Sequence, residues 1–395
     1  MKKLGFVVPW YGQNIPGGAE MLLRGLTLHL HEAGVELEIL TTCVKQFSSD
    51  WNENFHKEGV TTEGGITVRR FKVRKRNTAA FDRVNLMLIK GRKPSLEDQQ
   101  IFVDEMVNST DLYDYMREHK DEYSLFLYTP YMFGTTIKGC QIAPEKSVLI
   151  PCFHDEAYAY MDVFKETYKN IRGMVFNAKP EEDLTLRIYD LSKVNRRTIG
   201  VGVDTNTNGD ANRFREKFGI KEPFILYAGR KDVGKNVPTL VNFYAEFKKR
   251  NNTNLKLVLI GGGEMEFPEE FVKSGDIIDL GFVDIQDKYD ANAAALLLCQ
   301  PSKNESFSLV IMESWLGGRP VMVHEDCEVT KHFVVDSNGG FYFKTYYEFE
   351  GQVNFILNNP EIASKMGENG CEYVKSHFDW DVVVKNYMDF LNSCL

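Results

Sequence analysis

No apolar stretch among the 395 residues approaches the roughly 18 to 20 that a membrane-spanning helix requires; residues 293–299 come nearest. The chain is therefore not expected to cross a bilayer. Lys2 and Lys3 open the sequence, but the apolar run behind them covers only residues 4–8. That is too short for a signal peptide and predicts a cytoplasmic protein. The seven cysteines form no CxxC pair, and their odd number and mostly apolar neighbours suit reduced thiols rather than a disulfide framework or a zinc site. A cationic excess is missing too. The formal net charge is −9, which argues against generic nucleic-acid binding. Short repeats and low-complexity tracts are absent.

Hydrophobic residues at 43% and charged residues at 26% are ordinary for folded domains, and the length suggests two of them. Short β-rich runs alternate with helical patterns in both halves, the signature of α/β layers on parallel sheets. In the first half, residues 4–9 read as a strand, Leu22, Leu26 and Leu30 mark one face of a helix that Gly34 ends, and residues 35–41 return as a strand. Further strands are predicted at 124–128, 147–151 and 173–176. A second series starts at 224–229, followed by a helix bearing Leu240, Phe243, Tyr244 and Phe247, then strands at 255–260, 277–280, 294–299 and 320–323. The polar cluster at 205–210 suits a boundary near residue 200. This divides the chain into 1–200, completed by 379–395, and 201–378. Ligands of such two-domain chains are expected between the domains.

Chemistry concentrates in four segments. In PSKNESFSLVIMESWLGGRP, Glu305 and Glu313 stand eight apart after a buried strand, with a helix expected to start near Ser306 to Ser308. Two helical turns would put both carboxylates on one face, at an entrance whose free N–H groups suit a diphosphate. Alternatively, Glu305 neighbours a cap and Glu313 is a solvated helix residue. The strand ending at Gly229 runs into Arg230 and, five positions on, Lys235. Arg230 can fork onto phosphate oxygens and Lys235 can add a point charge, together offsetting charge on a departing nucleoside diphosphate. The bland alternative is a solvated basic loop. Pro16, Gly17 and Gly18 permit close backbone approach at a helix start, although isolated glycines more often make a turn, and the dinucleotide fingerprint G-x-G-x-x-G is absent. After the strand near 147–151 comes His154-Asp155-Glu156, where His154 can donate to a sugar hydroxyl with Asp155 orienting its ring. A lone histidine bonded at a strand end is the alternative.

In this order the segments resemble the family-4 glycosyltransferases, and the resemblance spans nearly the whole chain. It rests on GGAE at 17–20, HD at 154–155, GVD at 202–204, Arg230 with Lys235, IGGGE at 260–264, LGFV at 280–283 and the E-x7-E segment. The resemblance implies the GT-B fold of the α/β class: two Rossmann-like domains facing across a cleft, with a C-terminal helix crossing back to the first. It also implies retaining, metal-independent transfer of a hexosyl-type sugar from a nucleoside diphosphate donor. Arg230 and Lys235 would bind the diphosphate and Glu313 the ribose, with the base against backbone near Phe282 and Val283. Glu305, with Ser306, Phe307, Ser308 and Leu309, would hold donor sugar and phosphate. His154 would reach the sugar, and Gly17, Gly18 and Gly261 would lie close to the donor. Ser306 and Ser308 depart from the glycines common in the family, which bears on donor identity. No cofactor or metal is expected; Asp379-x-Asp381 reads better as a helix N-cap at Asp379 than as a metal site.

Residues 66–93 hold ten lysines and arginines against one acid, a local net of +9. Arg70, Lys72, Arg74, Lys75 and Arg76, with the apolar run 86–89, suit an anionic acceptor or an anionic membrane at its inner face. The alternative is a solvated strand and loop with Phe71 and Val73 facing a core. The partners expected are thus a nucleotide-sugar donor, a glycan or glycolipid acceptor and a membrane surface, in cell-envelope polysaccharide or glycoconjugate synthesis, without nucleic acid. Competing readings are a GT-B nucleotide-sugar epimerase or phosphorylase-like enzyme, and a degenerate partner subunit or sugar-binding module.

Overall fold

The computed structural model describes residues 2–13, 15 and 17–395. The chain divides into two compact units, one formed by Met1–Gly202 with Trp380–Leu395 and the other by Val203–Asp379. Each is an α/β unit built on its own sheet.

The first unit holds β1 (Lys3–Val8), β2 (Leu37–Thr42), β3 (Gly59–Glu63), β4 (Ile66–Phe71), β5 (Tyr123–Tyr128), β6 (Ser147–Leu149), β7 (Gly173–Phe176) and β8 (Asn195–Thr198). They lie in the order β3-β4-β2-β1-β5-β6-β7-β8, parallel except that β3 runs against β4. The central strands are buried along nearly their whole length, as expected where helices cover both faces. β3 and the edge strand β8 escape the hydrophobic pattern. β3 is exposed along most of its length, and β8 reads Asn-Arg-Arg-Thr, so neither carries an apolar run.

The second unit holds β9 (Phe224–Ala228), β10 (Lys256–Ile260), β11 (Ile277–Asp279), β12 (Leu297–Gln300), β13 (Val321–His324) and β14 (Gly340–Phe343), all parallel, in the order β11-β10-β9-β12-β13-β14. Residue 294 proves to end the preceding helix, Ile285–Ala294, so the apolar run expected as one strand is shared between two elements. Sequence order reverses direction across the sheet between β9 and β12. Connections leave this point to opposite sides and open a crevice at the carboxyl ends of the strands, where ligands of such sheets bind.

Two devices hold the frame around that crevice. Trp315, fully buried in the helix Leu309–Leu316, donates its indole N–H to the Gly339 carbonyl at 2.8 Å. Gly370, in the helix Pro360–His377, lets that helix lie against the ring, since a Cβ there would meet Trp315 at 2.1 Å. The last helix, Trp380–Ser393, returns the chain to the first unit. Its Trp380 stacks on His29 at 4.3 Å, and Arg172 donates to the Cys394 carbonyl at 2.6 Å. No helix among the described residues is long and apolar enough to cross a membrane.

Gly370→Ala would gain about 1 kcal/mol of helix propensity, yet the rigid buried ring leaves its methyl no room. The expected outcome of urea denaturation is net destabilisation by about 1–3 kcal/mol.

Candidate functional site

The loops after β9 and β12 carry the residues singled out in the second unit. Leaving β9, the chain crosses Gly229 and returns bonds to the neighbouring strand exit: Gly229 donates to the Ile260 carbonyl at 3.0 Å and Lys231 to the Gly262 carbonyl at 2.7 Å. These two loops approach closely enough to require glycine. Gly261, at φ 115°, has the Gly229 carbonyl oxygen 2.2 Å from where a Cβ would stand. Gly263, at φ 97°, stands in the same relation to the Lys231 carbonyl oxygen at 2.6 Å.

Arg230 projects outward, 69% exposed, and pairs with Asp232. Asp232 is the local organiser. Its other oxygen accepts the Lys235 backbone N–H at 2.8 Å. Burial alone would raise its pKa, but that N–H bond and the Arg230 guanidinium outweigh it and hold the carboxyl below its ordinary value. Lys235 bonds Glu305 at 2.8 Å, and Asn236 donates to the Pro301 carbonyl at 3.0 Å, so the β9 and β12 loops are tied twice. Lys235 and Glu305 thus meet at the switch point of the sheet, with Arg230 tied to the same β9 loop through Asp232.

The two glutamates do not share a helical face, contrary to expectation. Ser308 has φ 82°, and the helix begins only at Leu309, so Glu305 and Ser306 belong to the loop before it. A left-handed residue turns the chain and breaks the helical register that the eight-residue spacing would need. Phe307 is buried against Phe333 and Phe378, with ring centroids 5.2 and 4.9 Å away. Its buried ring anchors the loop. Ser308 provides no side-chain cap, and its buried hydroxyl has no hydrogen-bond partner among the described residues. The first N–H groups of the helix therefore stay uncapped by side chains, the arrangement that favours an anion.

Glu313 is not a solvated helix residue either. It is 8% exposed and pairs through one oxygen with Lys288 of the preceding helix, while its other oxygen, also buried, has no partner among the described residues. Burial raises its pKa, and Lys288 opposes the shift. A buried carboxylate oxygen with unused acceptor capacity is suited to a hydroxyl donor such as a ribose. Phe282 is 85% exposed, its ring over Gly262, with Val283 partly buried beside it.

Two partners lacked any local signal. Lys231, between the expected Arg230 and Lys235, is itself buried and bonds both oxygens of Asp279 at 2.6 and 2.8 Å, pinning the β9 loop to the end of β11. Lys288 is the other. Both meet their carboxylates only through strand order and helix packing.

In the first unit, Pro16 lies outside the described residues. Gly17, at φ 138°, precedes the helix Gly18–Glu32, and Trp10 donates to Glu20 of that helix at 2.9 Å. A Cβ at Gly17 would collide with the Glu20 carboxylate at 2.0 Å, whereas at Gly18 it would stand in open space. His154 follows β6 and is half-buried, and the Asp155 carboxylate accepts the Tyr160 hydroxyl at 2.8 Å. Asp379 stands directly before the last helix and accepts the Thr205 hydroxyl.

The basic segment needs correction. Arg70 is buried, donating to the Tyr11 carbonyl at 3.0 Å and pairing with Glu63 at 2.6 Å, so it belongs to no surface patch. Lys72 pairs with Glu58 at 2.9 Å, Arg74 bonds the Asp104 carbonyl and faces Glu105, and the Arg76 guanidinium lies over Trp51 and Phe81. Phe71 and Val73 face the core. Carboxylates from elsewhere in the chain absorb most of the charge that sequence concentrates here. Of the five, Lys75 alone is exposed without an ion pair among the described residues.

Residues 210–373 match the family model described as Glycosyl transferases group 1. Trehalose synthase of Thermococcus litoralis is 25% identical over 193 residues, 45% of this chain and 46% of its own. Alpha-D-kanosaminyltransferase of Streptomyces kanamyceticus is 25% identical over 176 residues, 42% and 45% of the two chains. The chain spans about half the length of the curated relatives it matches, so these likenesses concern one stretch. Among solved structures, sucrose-phosphate synthase from Thermosynechococcus elongatus superposes with a TM-score of 0.72 at 17% identity over 99% of both chains. HepE of Anabaena, solved with UDP, gives 0.72 at 15% identity over 99% of this chain and 100% of its own. At such identities the likeness is one of fold, and the fold is GT-B.

Lys288→Met should leave Glu313 buried without compensation and cost about 3 kcal/mol near neutral pH. Because burial raises the folded pKa of Glu313, the deficit should shrink as pH falls towards the ordinary glutamate value and the carboxyl gains its proton. Urea denaturation at about pH 8 and about pH 5 tests this; equal losses at both would place the cost in packing instead.

Proposed function

We propose that this chain, whose residues 210–373 match the group 1 glycosyltransferases on a GT-B fold, is a retaining glycosyltransferase. It moves a hexosyl-type sugar from a nucleoside diphosphate donor to a hydroxyl of a glycan or glycolipid, with no metal required. The observation that carries this reading is the crevice of the second sheet. Arg230, Lys235, Glu305 and an uncapped helix N-terminus converge there, with the spare buried oxygen of Glu313 on the same helix.

In this reading the diphosphate lies between Arg230, Lys235 and the first N–H groups of the helix Leu309–Leu316. Asp232 and Glu305 hold the two cations in place beforehand, which reduces the reorganisation needed when a ligand arrives. The bond from the anomeric carbon to the leaving phosphate oxygen breaks, and that oxygen's new charge is met by fixed positive groups. The acceptor hydroxyl attacks on the same face and passes its proton to the departing phosphate. Glu313 takes the ribose hydroxyls, and the base rests near Phe282 and Val283. Ser306 and Ser308 put side chains beside the donor sugar and so select among donors.

The acceptor belongs to the first unit, with the loops at Gly17–Gly18 and His154. With Arg70 excluded, the surface most suited to a glycolipid-bearing anionic membrane is the end of the helix Thr78–Ile89. There Leu86, Ile89 and Leu96 are 49%, 66% and 69% exposed among the exposed Lys90 and Arg92. A role in cell-envelope glycoconjugate synthesis fits that surface.

A screen of nucleoside diphosphate sugars by thermal stabilisation and nucleotide release tests the assignment. One donor class should raise the melting temperature and release its nucleotide in the presence of a chelator. Arg230→Ala or Lys235→Ala should lower transfer by about 10²–10³, and Glu313→Ala should weaken donor binding about tenfold or more. No response to any donor, with and without glycan or lipid acceptors, would favour a degenerate partner subunit. In flotation assays with anionic vesicles, Leu86→Ser with Ile89→Ser should reduce binding, and unchanged flotation would remove the membrane from the proposal.

A further inference from the structure

Glu181 is a buried carboxyl for which the proposed chemistry has no use. It lies in the first turn of the helix Lys179–Ile188, 1% exposed, with no cation paired to it among the described residues. One oxygen accepts the backbone N–H of Asn177 at 2.7 Å, an ordinary service of a glutamate at a helix start. The other reaches out of the helix and accepts the N–H of Phe153 at 2.7 Å. The carboxyl thereby joins the chain leaving β7 to the chain leaving β6, one residue before His154.

The loop it grips is tightly held. Cys152 sits at φ 56°, in the left-handed region that non-glycine residues rarely enter. Its sulfur accepts the Asn177 side-chain N–H at 3.4 Å. Phe153 is buried against Tyr131 and Tyr189, with ring centroids 4.4 and 5.1 Å away. Beyond His154, Tyr131 donates to Glu156 at 2.8 Å. Beside this left-handed residue, the Phe153 N–H would be a buried orphan donor without its carboxylate. Capping alone does not account for Glu181, because the Phe153 bond lies outside the helix.

We propose that Glu181 is the positioning residue for His154, fixing the backbone of the loop after β6 so that the imidazole has one placement in the transfer site. The inference rests on the reading of His154 as part of that site, and it extends that reading to a carboxyl that touches no substrate. Both oxygens serve fully as acceptors only in the ionised form. Burial pushes Glu181 up to about 8, against the pull of the N–H groups of Asn177, Phe153, Ala178 and Cys152. The titratable groups facing it are the Cys152 thiol, pushed up to about 12 by burial, and the Tyr387 phenol of the last helix, raised for the same reason. Neither ionises in the range where the Glu181 carboxyl does.

The test uses the full chain with isotope-labelled histidine and backbone amides, His154→Asn serving to assign the His154 ring signal. In the unsubstituted protein, the Phe153 and Asn177 amides and the His154 ring should show a common inflection near pH 8. In E181Q, which keeps the side-chain shape but replaces one acceptor oxygen by a donor, the ring signal should move and this inflection should vanish. With the donor found by the screen, kcat should fall about tenfold while donor KM stays within about twofold. A folded E181Q with an unmoved ring signal and unchanged kcat would overturn the proposal, leaving Glu181 as a structural cap. If E181Q does not fold, the titration of the unsubstituted protein decides, since a His154 ring without the shared inflection overturns it equally. The spectroscopic arm needs no turnover, so failure of the glycosyltransferase reading shows separately, as absence of transfer with the loop coupling intact.

Discussion

The pairing of β9 with β12 is the constraint on which the second unit depends. These strands are far apart in sequence, yet Ile225 and Leu226 stand in register with Leu297 and Leu298. Parallel neighbours must be joined by crossovers over a face of the sheet, so the loops leaving two such strands point the same way and their helices diverge. The crevice between them is where Lys235 meets Glu305 and where Asn236 reaches the Pro301 carbonyl. Remove the register, and Lys235 loses the carboxylate that holds it.

Charge in this protein is arranged as preformed pairs more than as open patches. Arg230, Lys231, Lys235 and Lys288 each face a carboxylate, and an anion entering the crevice would compete with those partners. Partnering keeps long side chains ordered before binding, at the cost of part of the attraction they could exert. The same habit explains the basic stretch 66–93. Read along the chain it is a cationic patch, but folded it is distributed onto Glu38, Glu63, Glu58, Glu105, Asp98 and Asp162.

The regular elements were largely legible because buried parallel strands are short apolar runs and their helices carry a stripe of period near 3.6. Where burial was partial, legibility failed. β3 and β8 had no apolar run to announce them, and residue 294 merged a helix end into a strand. At the candidate site, Arg230, Lys235 and Glu305 were found from their position at strand exits. The geometry of E-x7-E was misjudged, since nothing in the residue types declares that Ser308 turns left-handed and delays the helix. Lys231, Lys288 and the bond of Glu181 to Phe153 left no trace, because those partners are contributed by other elements.

By itself, then, the sequence determined what depends on neighbours along the chain: the strands and helices of two α/β units, the close-approach glycines, and a set of cations and carboxylates at strand ends. Only the tertiary structure decided which cation meets which carboxylate, that Arg70 is buried, that Glu313 keeps an unused buried oxygen, and that Glu181 grips the loop of His154. The physical reason lies in range. Local patterns follow from backbone periodicity, whereas ion pairs and desolvation depend on distances of a few ångströms between segments that strand order, not sequence spacing, brings together.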